Sequence, residues 1–138
     1  MSAVAPMAHG ATLLPTPARR RHAEADLQRA VHQYLSWALP PDAVHYAVPN
    51  GLMRSQKARA RAQGEGVMAG VPDLAIVHRG RALFVELKSR RGVMSPAQRE
   101  MARRLNYAGA AVCCCRSVPE VEAALREACV PLRGSVAA

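Results

Sequence analysis

The stretch Gly70-Val71-Pro72-Asp73-Leu74-Ala75-Ile76-Val77-His78-Arg79-Gly80-Arg81-Ala82-Leu83-Phe84-Val85-Glu86-Leu87-Lys88 places two apolar runs on either side of one turn. Leu74 to His78 and Arg81 to Lys88 read as the strands of a hairpin joined at Arg79-Gly80. With a two-residue loop, His78 pairs with Arg81, and counting back along both strands sets Asp73 opposite Glu86. A four-residue loop centred on the same bond gives the same pairing, whereas an odd-length loop does not. Strand side chains alternate, so Glu86 and Lys88 share a face.

Directly opposed strand residues have Cβ atoms about 4.5–5.5 Å apart, and like charges there are destabilising. Two carboxylates so placed inside apolar strands call for a cation. Hard oxygen ligands at that spacing suit Mg²⁺ or Mn²⁺, which keep several waters and accept substrate phosphate oxygens. Lys88 is then positioned to hold or polarise a nucleophilic water. The plainer alternative is a structural salt bridge between Lys88 and one carboxylate at a strand end.

Outward from the hairpin the chain alternates elements. Residues 1–20 are rich in Ala and Pro without a period and read as a disordered N-terminal tail, closed by Arg19-Arg20-Arg21. Leu27, Val31, Tyr34, Leu35 and Ala38 recur at helical spacing from about Arg21, until Pro40-Pro41. His45 to Val48 reads as a short strand stopped by Pro49-Asn50-Gly51. Residues 52–63 form a basic helix or loop, and a glycine-rich passage leads back to Asp73. Beyond the hairpin, Ser95-Pro96 starts a helix that Gly109 stops, and Ala110 to Cys115 reads as a small buried strand. Ser117 to Glu120 has capping-box spacing and opens a last helix ended by Pro131. The order predicts one mixed α/β domain over residues 21–131 around a single sheet, with a short tail at 132–138.

Two polar residues fall on apolar helix faces. At about 100° per residue, Glu24 lies about 60° from Leu27, inside the buried arc, whereas Asp26 falls outside it. Glu24 either reaches the carboxylate site or is a first-turn Glu favoured by the helix dipole. Gln98 lies about 20° from Leu105 and faces inward beside Met101. Ser95 to Gln98 also has capping-box spacing, which accounts for it as a helix start. Arg99, Arg103 and Arg104 fall on the opposite arc.

Composition bounds the function. The chain has 138 residues, enough for one domain, and 27 are alanine against five aromatics. No apolar run approaches the roughly 18 to 20 residues of a membrane span, so a transmembrane protein is excluded. The net charge is +9, and 17 of the 19 basic residues are Arg, whose planar fork suits phosphate. The scarcity of aromatics argues against a base-stacking platform for single strands. Cys113, Cys114 and Cys115 are consecutive and Cys129 stands alone, without metal-ligand or disulfide spacing, so a reducing intracellular compartment is expected.

Taken in order, Glu24 in an opening helix, Pro49-Asn50-Gly51, Gly70-Val71-Pro72-Asp73-Leu74, Phe84-Val85-Glu86-Leu87-Lys88 and Ser95-Pro96-Ala97-Gln98 carry a family likeness. Pro72-Asp73, twelve intervening residues and Glu86-Leu87-Lys88 resemble the P-D…(D/E)-x-K signature of a nuclease superfamily. The whole run, over roughly residues 22–128, resembles the VRR-NUC (virus-type replication-repair nuclease) family within it. The resemblance implies a restriction-endonuclease-like PD-(D/E)XK core, a mixed central sheet flanked by helices. It implies a metal-dependent phosphodiesterase acting on DNA, with Asp73, Glu86 and the Leu87 carbonyl as ligands of Mg²⁺ or Mn²⁺. Lys88 would position the attacking water, and Glu24 and Gln98 match positions that support metal or water, Glu24 as a further metal ligand. In-line attack would leave a 5′-phosphate and a 3′-hydroxyl.

Family members occur within a Fanconi-associated repair enzyme and as small standalone phage or bacterial proteins. This chain resembles the standalone type, and a cytoplasmic setting in a bacterial or phage-infected cell is expected. One site cuts one strand per encounter. Resolution of a two-fold symmetric four-way (Holliday) junction would therefore call for a C₂ homodimer. Arg54, Lys57, Arg59 and Arg61 are the leading candidates for backbone contacts to branched or duplex DNA. The contrasting reading is a non-catalytic nucleic-acid-binding module on the same fold.

Overall fold

The computed structural model describes residues 16–49 and 55–136. Helices α1 (Pro17–Ala38), α2 (Gln56–Gly64), α3 (Pro96–Tyr107) and α4 (Val118–Glu127) accompany strands β1 (Ala43–Ala47), β2 (Leu74–His78), β3 (Arg81–Leu87) and β4 (Ala111–Cys115). The strands form one sheet in the order β1-β2-β3-β4. The first two pairings are antiparallel; β3 and β4, joined through α3, are parallel. This is the expected mixed α/β sheet flanked by helices.

The hairpin register is the expected one: His78 pairs with Arg81 and Leu74 with Val85. Arg79 (φ 46°) and Gly80 (φ 78°) both have positive φ, as a tight two-residue turn of type I′ requires. One step beyond the last pair, Asp73 comes to stand beside the end of β3.

The two sheet faces have different fates. Leu74 and Ile76 on β2, Leu83, Val85 and Leu87 on β3 and Cys115 on β4 point to one side. There they pack with Val31, Tyr34, Leu35 and Ala38 of α1 and Val121 and Leu125 of α4. Removing this apolar surface from water is the main stabilising term of the fold, at roughly 1.5–3 kcal/mol per large side chain. Glu86 points to the other side, toward the first turn of α3.

Helix α1 begins earlier than its apolar period suggests. The Thr16 side chain accepts the Arg19 N–H and Pro17 occupies the first turn, so residues 17–20, assigned by composition to the tail, are helical. At the other end, Leu132 and Val136 pack against the core and the Arg133 N–H donates to the Ala38 carbonyl (2.7 Å), which anchors part of the segment read as a C-terminal tail. The strand expected over His45–Val48 lies at Ala43–Ala47. Asn50, Gly51 and Arg54 lie outside the described residues.

Candidate active site

The site forms where β2 starts, β3 ends and α3 begins. Asp73 Oδ2 accepts the Leu87 N–H at 2.8 Å, which ties the carboxylate across the mouth of the hairpin. In an extended strand a residue's N–H and C=O leave by the same edge, so Leu87 directs its carbonyl toward the Asp73 side. Glu86 is 2% exposed, and its Oε1 takes two contacts: Lys88 Nζ at 3.0 Å and Gln98 Nε2 at 2.7 Å. Glu86 Oε2 is buried without a hydrogen-bond partner.

The expected juxtaposition of Asp73, Glu86 and Lys88 is therefore present. Burial pushes the Glu86 carboxyl up to about 7, and the neighbouring Asp73 charge adds to it, against the opposing pull of Lys88. Asp73 is also raised, chiefly by burial, while its hydrogen bond from Leu87 and the charge of Lys88 act the other way. Lys88 thus does form an ion pair, as the structural reading of the motif would have it. One ammonium does not neutralise a buried and a half-buried carboxylate together.

Gln98 combines both of its sequence readings. Its Oε1 accepts the Ser95 N–H at 2.8 Å and its own N–H donates to Ser95 Oγ at 3.2 Å, a complete capping box. The remaining amide nitrogen reaches Glu86. The approach of Gly70 to this turn fixes it further, since a Cβ there would stand 2.3 Å from the Ala97 carbonyl oxygen. Arg99, Arg103 and Arg104 are exposed, as the helical wheel requires.

Glu24 faces the site from α1, as the wheel indicates, but at its margin. Its Oε1 accepts the Ser89 N–H at 3.3 Å and lies beside Gly92 in the turn that follows Lys88. Among the described residues no three His, Cys, Asp or Glu side chains converge as a ready-made metal cluster. The donor set that does converge is Asp73 and Glu86. With two carboxyls in contact and both driven toward neutrality, it fits a hard divalent cation.

Two neighbours of the site were not visible in the sequence. Arg116 Nη2 donates to the Gly92 carbonyl at 2.8 Å and braces the turn after Lys88 from the β4 end. Cys114 stands beside Glu86 in the parallel register. Both depend on the pairing of β3 with β4, which local pattern does not encode. Cys113 and Cys115 share the opposite face with their sulfurs 3.7 Å apart, inside or against the core. Of the proposed DNA contacts, Lys57, Arg59 and Arg61 project from α2 and are exposed, and Arg61 pairs with Glu65.

A mixed sheet with paired carboxylates and a lysine at the exit of a hairpin defines the restriction-endonuclease-like class. Within it, the VRR-NUC domain matches residues 18–119, and the chain belongs to that family. A solved structure described as a VRR_NUC domain protein is similar with a TM-score of 0.54 at 20% identity, covering 75% of this chain and 84% of that one. A second, described as a VRR_NUC domain, gives a TM-score of 0.51 at 22% identity, covering 76% of this chain and 95% of that one. No curated protein matches the chain. Family membership implies a nuclease-type function with DNA as substrate. Among the described residues no helix is long and apolar enough to cross a membrane.

Proposed function

We propose that this chain is a Mg²⁺- or Mn²⁺-dependent, structure-selective DNA endonuclease that hydrolyses phosphodiester bonds in replication or repair. The observation that carries the reading is the pair of carboxyls itself: buried Glu86 stands against Asp73, whose charge pushes its carboxyl up, while Lys88 and Gln98 both engage Glu86 Oε1. A structural salt bridge to Lys88 needs one carboxylate, not two in contact.

Asp73, Glu86 and the Leu87 carbonyl are the residues that would hold the ion. Bound there, it supplies Lewis-acid polarisation of the scissile phosphate and a lowered pKa for a water. Lys88, 12% exposed and 3.0 Å from Glu86 Oε1, would orient the attacking water and offset negative charge on the phosphoryl oxygens. Gln98 holds Glu86 in one rotamer, and Glu24 holds the turn that follows Lys88 through the Ser89 N–H. In-line attack leaves a 5′-phosphate and a 3′-hydroxyl.

Lys57, Arg59 and Arg61 on α2, with Arg54 ahead of them in sequence, are proposed to track the DNA backbone. Four-way junction resolution by a C₂ dimer is the specific form of this proposal, since symmetric strands need two sites. The proposed setting is the cytoplasm of a bacterial or phage-infected cell, in keeping with four free cysteines. Cleavage of end-labelled four-way junction, nicked flap, duplex and single strand, with each metal or EDTA, tests it. Metal-dependent cutting supports the nuclease. Tight, salt-sensitive binding without cutting would make the chain a binding module instead.

A further inference from the structure

A cleft of about 300 Å³ adjoins the site and shares Asp73 and Gln98 with it. Val67 and Met68 also line it, with Arg59 and Gln63 of α2. Metal, water and phosphate chemistry makes no use of this space. Its lining is also out of keeping with the surface around it: Val67 is 47% and Met68 45% exposed on a chain of net charge +9. Phosphate-tracking surfaces need cations and amides, not bare aliphatic side chains.

We infer that this cleft seats one unpaired nucleoside, the one attached to the scissile phosphate. A phosphate drawn to a cation held by Asp73 and Glu86 would leave its own sugar and base next to the cleft, because Asp73 lines both. The lining suits a base: the aliphatic side chains of Val67 and Met68 for the ring faces, and the Gln63 amide for the ring edge. The volume is at the small end of ligand sites and is enough for one nucleoside. The Gly70 backbone, with φ +79° and no room for a Cβ against Ala97, holds the wall in place before substrate arrives. A nucleoside inside a duplex must unstack to enter, at a cost of a few kcal/mol, whereas one at a branch, flap or gap is already free. The cleft thus supplies a physical origin for structure selectivity. This inference rests on the phosphodiesterase reading for which nucleoside enters, but not for whether a base binds.

Two measurements separate the claims. The full chain is titrated, in Ca²⁺ to favour binding without turnover, with a labelled branched DNA bearing one unpaired nucleotide at the branch. The same DNA with an abasic residue there is the comparison. The unpaired base should tighten binding about tenfold over the abasic form. Val67→Ser and Met68→Ser, at exposed positions and verified by thermal melts, should each shrink that ratio toward one. An equal affinity for the two DNAs, or a ratio untouched by both variants, would overturn the inference. Cleavage of the same DNAs in Mn²⁺ tests the other claim. Base-dependent binding without any cutting leaves the cleft standing and removes the nuclease; cutting without base dependence does the reverse.

Discussion

Gln98 and Glu86 are joined by a 2.7 Å hydrogen bond from an amide whose oxygen is already committed to the Ser95 N–H. The start of α3 and the rotamer of the buried carboxylate are therefore set by one side chain. Gln98→Ala should lose both, costing about 0.5–2 kcal/mol of stability and roughly 10–100-fold in metal-dependent cleavage. Ser95→Ala should cost similar stability, with much less activity, because the amide to Glu86 survives. Melting curves and initial rates on both variants check this; equal activity losses would show that only the helix start matters.

The carboxylate pair makes a second prediction, read without any DNA. Mn²⁺ binding to the folded state alone should stabilise the protein by about 2.7 kcal/mol at a hundredfold excess over its dissociation constant, a Tm rise of several degrees. Glu86→Gln relieves a buried charge and should melt no lower than the wild type without metal, while losing the Mn²⁺ response. A full Mn²⁺ shift in that variant would place the ion elsewhere.

A third concerns the far end of the fold. Glu122 accepts Ser135 Oγ and the Val136 N–H, each at 2.6 Å, and Tyr34 Oη at 3.1 Å. Ser135 foremost, then Val136, holds the Glu122 carboxyl down at about 2, below its ordinary value of 4.5. A depressed carboxyl contributes stability that is complete above the unfolded-state value and is lost as pH falls through the folded one. Between pH 4.5 and about 2 the wild type should lose stability more steeply than Glu122→Gln. Denaturant midpoints across that window measure the difference, and parallel curves would mean that Glu122 does not contribute.

Lys57 and Arg61 lie exposed on α2 and are expected to touch DNA phosphates. Replacing both by Ala should lower the slope of log affinity against log salt by about two, at roughly 0.9 per phosphate contact. An unchanged slope would clear both residues of backbone contact.

How far the sequence could be read depends on the range of the interactions involved. The hairpin register followed from one turn, because Arg79-Gly80 admits a tight two-residue loop and side chains alternate along strands. The inward faces of Glu24 and Gln98 followed from helix period alone. The wheel could not say how far into the site Glu24 reaches, because that depends on how α1 lies over the Ser89–Gly92 turn. The capping box at Ser95 was legible, but its second function needed the position of Glu86 across the sheet. The anchoring of Ser135 and Val136 by Glu122 left no local signal, since residues 132–136 have no period and their partner is on α4. The cleft was equally hidden: it exists because Gly70 docks on Ala97, which brings the loop after α2 against the start of α3.

The most direct test of the central claim is the rate of cleavage of end-labelled four-way junction, flap, duplex and single strand in Mg²⁺, Mn²⁺ or EDTA, wild type beside Lys88→Ala. Cutting that requires the metal, favours a branched substrate and falls by about 10²–10³-fold in the variant is the predicted result. Cutting that survives in EDTA, or is untouched by the loss of Lys88, would contradict it.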